Sequence, residues 1–89
     1  MTHYIALVHK DEGSAFGLTF PDLPGCFSAA DDERDLVANA VEALAFWAED
    51  EALPLPSGIE AIRARPEVAA ELRDGAFLLA VPFEMAVAA

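Results

Sequence analysis

Eighty-nine residues, 55% of them hydrophobic, make one domain with a substantial core and exclude a disordered chain. Sixteen acidic residues against five basic ones give a net charge of −11, which opposes binding to nucleic-acid phosphates and suits a basic protein partner. No apolar run reaches the roughly 18 residues of a membrane span and no basic-then-apolar leader opens the chain, while a lone Cys26 precludes an internal disulfide and fits a reducing cytoplasm.

Tyr4 to Lys10 reads as the first strand, with Tyr4, Ala6 and Val8 on one face and Ile5, Leu7 and His9 on the other. Both faces are apolar at their centre. Asp11-Glu12-Gly13-Ser14 is a polar connection of hairpin length, and Ala15 to Phe20 returns as a second strand carrying Phe16, Leu18 and Phe20 on one face. Gly17 within it marks a close approach or a weak edge, and His9 is expected at the sheet edge. Pro21 ends the ladder for want of an N–H. Pro24-Gly25 suits a type II turn, after which Cys26 to Ala30 forms a short third strand.

Asp32 is the expected N-cap of a helix from about Glu33 to about Glu51. Leu36, Ala40, Leu44 and Trp47 share a stripe, with Val37, Val41 and Ala48 beside them. Glu49, Asp50 and Glu51 crowd the negative end of that helix, which the dipole disfavours. A cationic partner or plain solvation offsets this. Leu53-Pro54-Leu55-Pro56 is a stiff linker. Ser57 and Glu60 match a capping box for a short helix through Ile59 and Ile62, and Pro66 to Leu72 forms a further turn. Arg63, Arg65 and Arg73, interleaved with Glu60, Glu67 and Glu71, read as a salt-bridged face. Ala76 to Val81 is an apolar run expected of a strand buried on both faces. Residues 85–89 are expected to fray.

The order strand, strand, strand, helix, short helix, strand gives an α+β two-layer sandwich: a three-stranded antiparallel sheet, one main helix across it and a returning fourth strand. One layer of helices leaves apolar surface uncovered, so self-association to at least a dimer is expected. Asp22, Asp31 and Asp32 have the residue type for a metal nuclease but no converging pattern, and no spacing pairs Cys26 with His3 or His9. Catalytic residues, metals and cofactors are therefore not expected.

These pieces together resemble the HicB-type antitoxins. The resemblance is carried by the Tyr4-led strand, the turn at 11–13, Phe20-Pro21-Asp22-Leu23-Pro24-Gly25-Cys26, the acidic helix start near Asp31–Glu33, and Asn39-Ala40, Glu42-Ala43-Leu44 and Trp47. It implies a degenerate ribonuclease-H-like domain over residues 1–84 that binds and silences a small basic HicA-type toxin, an mRNA-cleaving ribonuclease. The family commonly adds a C-terminal DNA-binding motif. Only five residues follow Glu84, too few for one, so direct promoter binding is not expected of these residues. Partner contacts are assigned to Glu42, Trp47, Glu49, Asp50 and Glu51, with Trp47 as a core or anchor residue. The other readings are an oligomerisation scaffold for an autorepressor whose DNA-binding part lies outside this chain, and a ribonuclease-H-like nuclease.

Overall fold

The computed structural model describes residues 2–84. The central strand is β1 (Thr2–Lys10). It pairs on one side with β2 (Phe16–Thr19), which carries β3 (Phe27–Ala30) beyond it. On the other side lies the last strand, β4 (Phe77–Phe83). All pairings are antiparallel. The expected three strands plus a returning one are thus a single four-stranded sheet, in which β4 matches β1 from Thr2↔Phe83 to Val8↔Phe77.

The doubly apolar β1 explains the layering. Tyr4, Ala6 and Val8, joined by Leu18, Phe20, Ala30 and Val81, pack on Leu36, Ala40 and Leu44 of α1 (Leu36–Asp50). Ile5 and Leu7 on the opposite face meet Ile62 of α2 (Ile59–Arg63) and Val68 of α3 (Pro66–Arg73). The molecule therefore has three layers. The two-layer expectation fails because the short C-terminal helices cross to the far face, where they bury what one helix would leave exposed. Each such side chain, buried fully, contributes about 1.5–3 kcal/mol.

The Pro24-Gly25 turn forms as its residues dictate. Leu23 O accepts from Cys26 N–H at 3.0 Å, and Gly25 takes φ +85°, where a side chain would be strained. Phe20 N–H donates to Cys26 O at 3.1 Å and closes the base of the loop. Asp32 caps as expected, its carboxylate accepting from Arg34 N–H at 3.0 Å. The first turn it caps is 3-10 (Glu33–Asp35), so α1 becomes regular only at Leu36, later than expected.

After α1 the chain crosses to the far face in a proline-bearing strap tied at two points. Tyr4 donates its hydroxyl to Pro54 O at 2.5 Å. Asp22 accepts from the Ser57 amide at 2.6 Å and the Ser57 hydroxyl at 2.8 Å. The expected capping box does not form, because Ser57 is committed to Asp22 and Gly58 is the residue that precedes α2. Glu60 instead meets Arg63 at 3.7 Å. Arg65 leaves the expected surface face altogether: its guanidinium reaches Asp22 at 2.6 Å and Pro21 O at 2.9 Å.

Two further expectations are corrected. The apolar run at the C-terminus lies at the sheet edge, not its interior; in β4 only Val81 is buried, while Phe77 and Ala80 are exposed. An apolar run signals strand, but the pairing order decides which strand is central. His9 belongs to the central strand, and its imidazole lies over Gly17, where a Cβ would sit 2.8 Å from Nε2. The expected fraying of residues 85–89 lies outside the described residues.

Candidate functional site

The sheet has an open edge at β3, and the ladder phase shows what it offers. Since Phe20 and Cys26 are bonded through Phe20 N–H, the bonded pairs further along are Leu18↔Ser28 and Phe16↔Ala30. Phe27 and Ala29 therefore turn their amides and carbonyls away from β2. Ala29 O is taken by Asn39 Nδ2 at 2.9 Å, and the Ser28 hydroxyl donates to Asn39 O at 3.3 Å. Asn39 thus latches β3 to α1. The backbone of Phe27 is left facing outward.

Beside this edge runs a groove of about 450 Å³ between β3 and α1, lined by Phe27, Asn39, Glu42, Ala43, Phe46 and Trp47 among others. Phe27 is 69% exposed and Phe46 is 73% exposed, an unusual position for two large aromatic rings. Phe27 also borders a smaller depression, of about 320 Å³, with Leu7, Leu23 and Val68. Trp47 is half-buried. It packs on the main core, and its Nε1 donates to Pro24 O at 3.1 Å, pinning the Pro-Gly turn to the helix. Glu42 is exposed on the groove wall.

Glu49 and Asp50 occupy the last turn of α1 and Glu51 follows it in extended conformation; all three are exposed. None makes an ion pair among the described residues. Of the five residues assigned to partner contact, the structure brings Glu42 and Trp47 together in the groove and sets the three acids beyond its α1 end. Sequence reasoning missed Phe27, Phe46 and the Asn39 latch. Phe46 had a signal, since it falls between Leu44 and Trp47 but off the stripe they define. Phe27 had none, because exposure at the edge depends on strand order.

Two groups considered for catalysis are otherwise engaged. The Asp22 carboxyl is pushed up by burial, but the Ser57 amide and hydroxyl and the Arg65 guanidinium outweigh that and hold it below the usual carboxylate range. The Cys26 thiol, buried against Ala43 O at 3.7 Å, has its pKa raised by desolvation and stays protonated. Tyr4 is raised too, by burial and by the nearby Asp22 charge. Among the described residues no group of three His, Cys, Asp or Glu side chains is placed to hold a metal ion. None of their helices is long and apolar enough to cross a membrane. What the edge and groove can do chemically is dock a polypeptide, giving backbone hydrogen bonds at Phe27 and aromatic contact at Phe27 and Phe46.

A family model described as "HicB_like antitoxin of bacterial toxin-antitoxin system" matches residues 4–82. The fold is similar to a chain of the HicA3 and HicB3 toxin-antitoxin complex, with a TM-score of 0.74 and 29% identity over 94% of this chain and 100% of that one. It is similar also to the N-terminal domain of the Burkholderia pseudomallei antitoxin HicB, with a TM-score of 0.75 and 30% identity over 94% of this chain and 100% of that one. In sequence it is 42% identical over 72 residues to a 14.9 kDa protein of the rep-hol intergenic region of Haemophilus phage HP1, covering 75% of this chain. The chain spans about half the length of that relative, 53%.

Proposed function

The chain belongs to the HicB-like antitoxin family of bacterial toxin-antitoxin systems, and on that footing we propose that it binds and inhibits a small basic HicA-like toxin, an mRNA-cleaving ribonuclease, in the cytoplasm. The observation that carries this reading is the β3–α1 groove: two exposed phenylalanines and an open strand edge on a chain of charge −11. Apolar contact at the groove would hold the toxin, while Glu42, Glu49, Asp50 and Glu51 would face the basic surface that RNA phosphates otherwise use. Similarity to a chain of a toxin-antitoxin complex supports a toxin partner. On this reading the domain is ribonuclease-H-like in descent but non-catalytic. Asp22 serves as a structural anion, and Asp32 starts a helix. Its charge also opposes any direct contact with promoter DNA.

The charged part of the proposal is tested by kinetics. Replacing Glu49, Asp50 and Glu51 by Gln, Asn and Gln is expected to slow association with a cognate HicA-like toxin by severalfold at low salt, with the difference fading as salt screens charges beyond about 8 Å. Dissociation should change less. The thermal melt should hold or rise slightly, since three anions leave a helix C-terminus. Stopped-flow association at two salt concentrations measures this, and an unchanged on-rate would move the binding face away from this end of α1.

A further inference from the structure

The β3–α1 groove and the depression beside α3 lie on opposite faces of the sheet and meet at one stretch, Gly25-Cys26-Phe27, which lines both. Alternation along β3 sets this up. Phe27 stands opposite Thr19, which stands opposite Leu7, so these three share the face that α2 and α3 pack on. Ser28 stands opposite Leu18 and shares the α1 face. The short helices bury Ile5 and Leu7 of β1 but leave Thr19, Phe27 and Ala29 exposed. Each concavity holds apolar side chains and one exposed carboxylate, Glu42 on the α1 side and Glu67 on the α3 side. Neither carboxylate makes an ion pair among the described residues, and no Lys or Arg lines either concavity. Between the two, the ladder phase turns Phe27 N–H, Phe27 C=O and Ala29 N–H outward. The next group, Ala29 C=O, is already held by Asn39.

We propose that this edge accepts an extended basic segment of the partner as a fifth strand, with its side chains alternating into both concavities. The proposal rests on the toxin-docking reading and specifies how that contact is made. A strand added at an edge takes affinity from main-chain bonds and specificity from pockets for alternate side chains. Here a concavity stands ready on each face. The three outward groups at Phe27 and Ala29 can bond a partner strand running in either direction, and Asn39 ends the ladder at Ala29. The partner residue opposite Phe27 points to the α3 side, toward Leu23, Val68 and Glu67. Its two neighbours point to the α1 side, where the stem of a Lys or Arg covers Phe46 and its charge meets Glu42. A second copy of this chain cannot supply such a segment. Among the described residues the only Lys or Arg carried by a strand is Lys10, on β1, which is already paired on both sides by β2 and β4. The basic strand must come from a different protein.

The test uses the full chain and a cognate HicA-like toxin. Amide hydrogen exchange read by NMR should slow at Phe27 and Ala29 by roughly tenfold or more when toxin binds. This reading needs no variant. Phe27→Pro and Phe27→Ala both lack the ring, and only the proline also lacks the outward N–H, which makes no bond inside the sheet. The proline variant should bind roughly tenfold more weakly than the alanine variant in isothermal titration, with far-UV circular dichroism alike for both. Glu67→Lys should weaken binding severalfold, although Glu67 lies across the sheet from the groove. A complex in which the Phe27 and Ala29 amides exchange as in the free chain overturns strand addition and leaves toxin docking standing. Equal affinity of the folded proline and alanine variants does the same. Unchanged affinity in Glu67→Lys overturns insertion on both faces. If no complex forms at all, the toxin reading falls and the strand addition falls with it.

Discussion

Asp22→Ala is expected to lower the melting temperature by roughly 10–20 °C. The Asp22 side chain is 9% exposed and holds three donors from two distant segments: the Ser57 amide, the Ser57 hydroxyl and the Arg65 guanidinium. Its removal strands a partly buried cation and two dipoles, at about 2–3 kcal/mol once the one-third exposure of Arg65 is allowed for. In a domain of this size each kcal/mol moves the midpoint by about 4–8 °C. The same carboxylate sets a pH dependence. Its folded pKa lies below the unfolded value, so its stabilisation is complete above about pH 4 and is lost as pH falls through the folded pKa. The melting gap between parent and Asp22→Ala should thus be flat from pH 5 to 8 and narrow below pH 4. A gap unchanged at pH 3 would mean that the carboxylate charge is not what the strap requires.

Phe27→Asp combined with Phe46→Asp is expected to weaken toxin binding by at least a hundredfold. Both rings are mostly exposed, so the free chain loses little by their replacement, within about 0.5 kcal/mol each. In a complex they would be desolvated aromatic anchors, and each such anchor is worth about 2 kcal/mol or more. The added carboxylates cannot be blamed for repelling a basic toxin, since they would attract it. A loss of binding therefore reports apolar contact. Isothermal titration alongside a thermal melt separates the two: full affinity in the folded double variant would remove the groove from the interface.

Much of the fold could be read from local pattern. β1 announced two apolar faces, Pro24-Gly25 announced its turn, and Asp32 announced a helix start. What escaped were relations between distant segments. Ser57 and Glu60 have capping-box spacing, but Asp22, 35 residues earlier, claims Ser57. Arg65 looks like its neighbours on a charged face until the fold carries it to Asp22. The run in β4 reads as interior by composition and lies at an edge by pairing. Of the candidate site, the sequence reading named Glu42 and Trp47; Phe46, on the same helix, lay within reach of the same periodicity, which fixes direction along a single segment. Phe27 depended on strand order, which no local pattern states.

The central claim, that this acidic domain silences a basic ribonuclease by occupying it, is tested most directly by titrating the purified chain into a cognate HicA-like toxin while following mRNA cleavage. Cleavage should fall linearly and cease near one chain per toxin, with the Phe27→Asp/Phe46→Asp variant failing to protect at the same ratio. Cleavage undiminished at a tenfold excess of the folded chain would contradict the account.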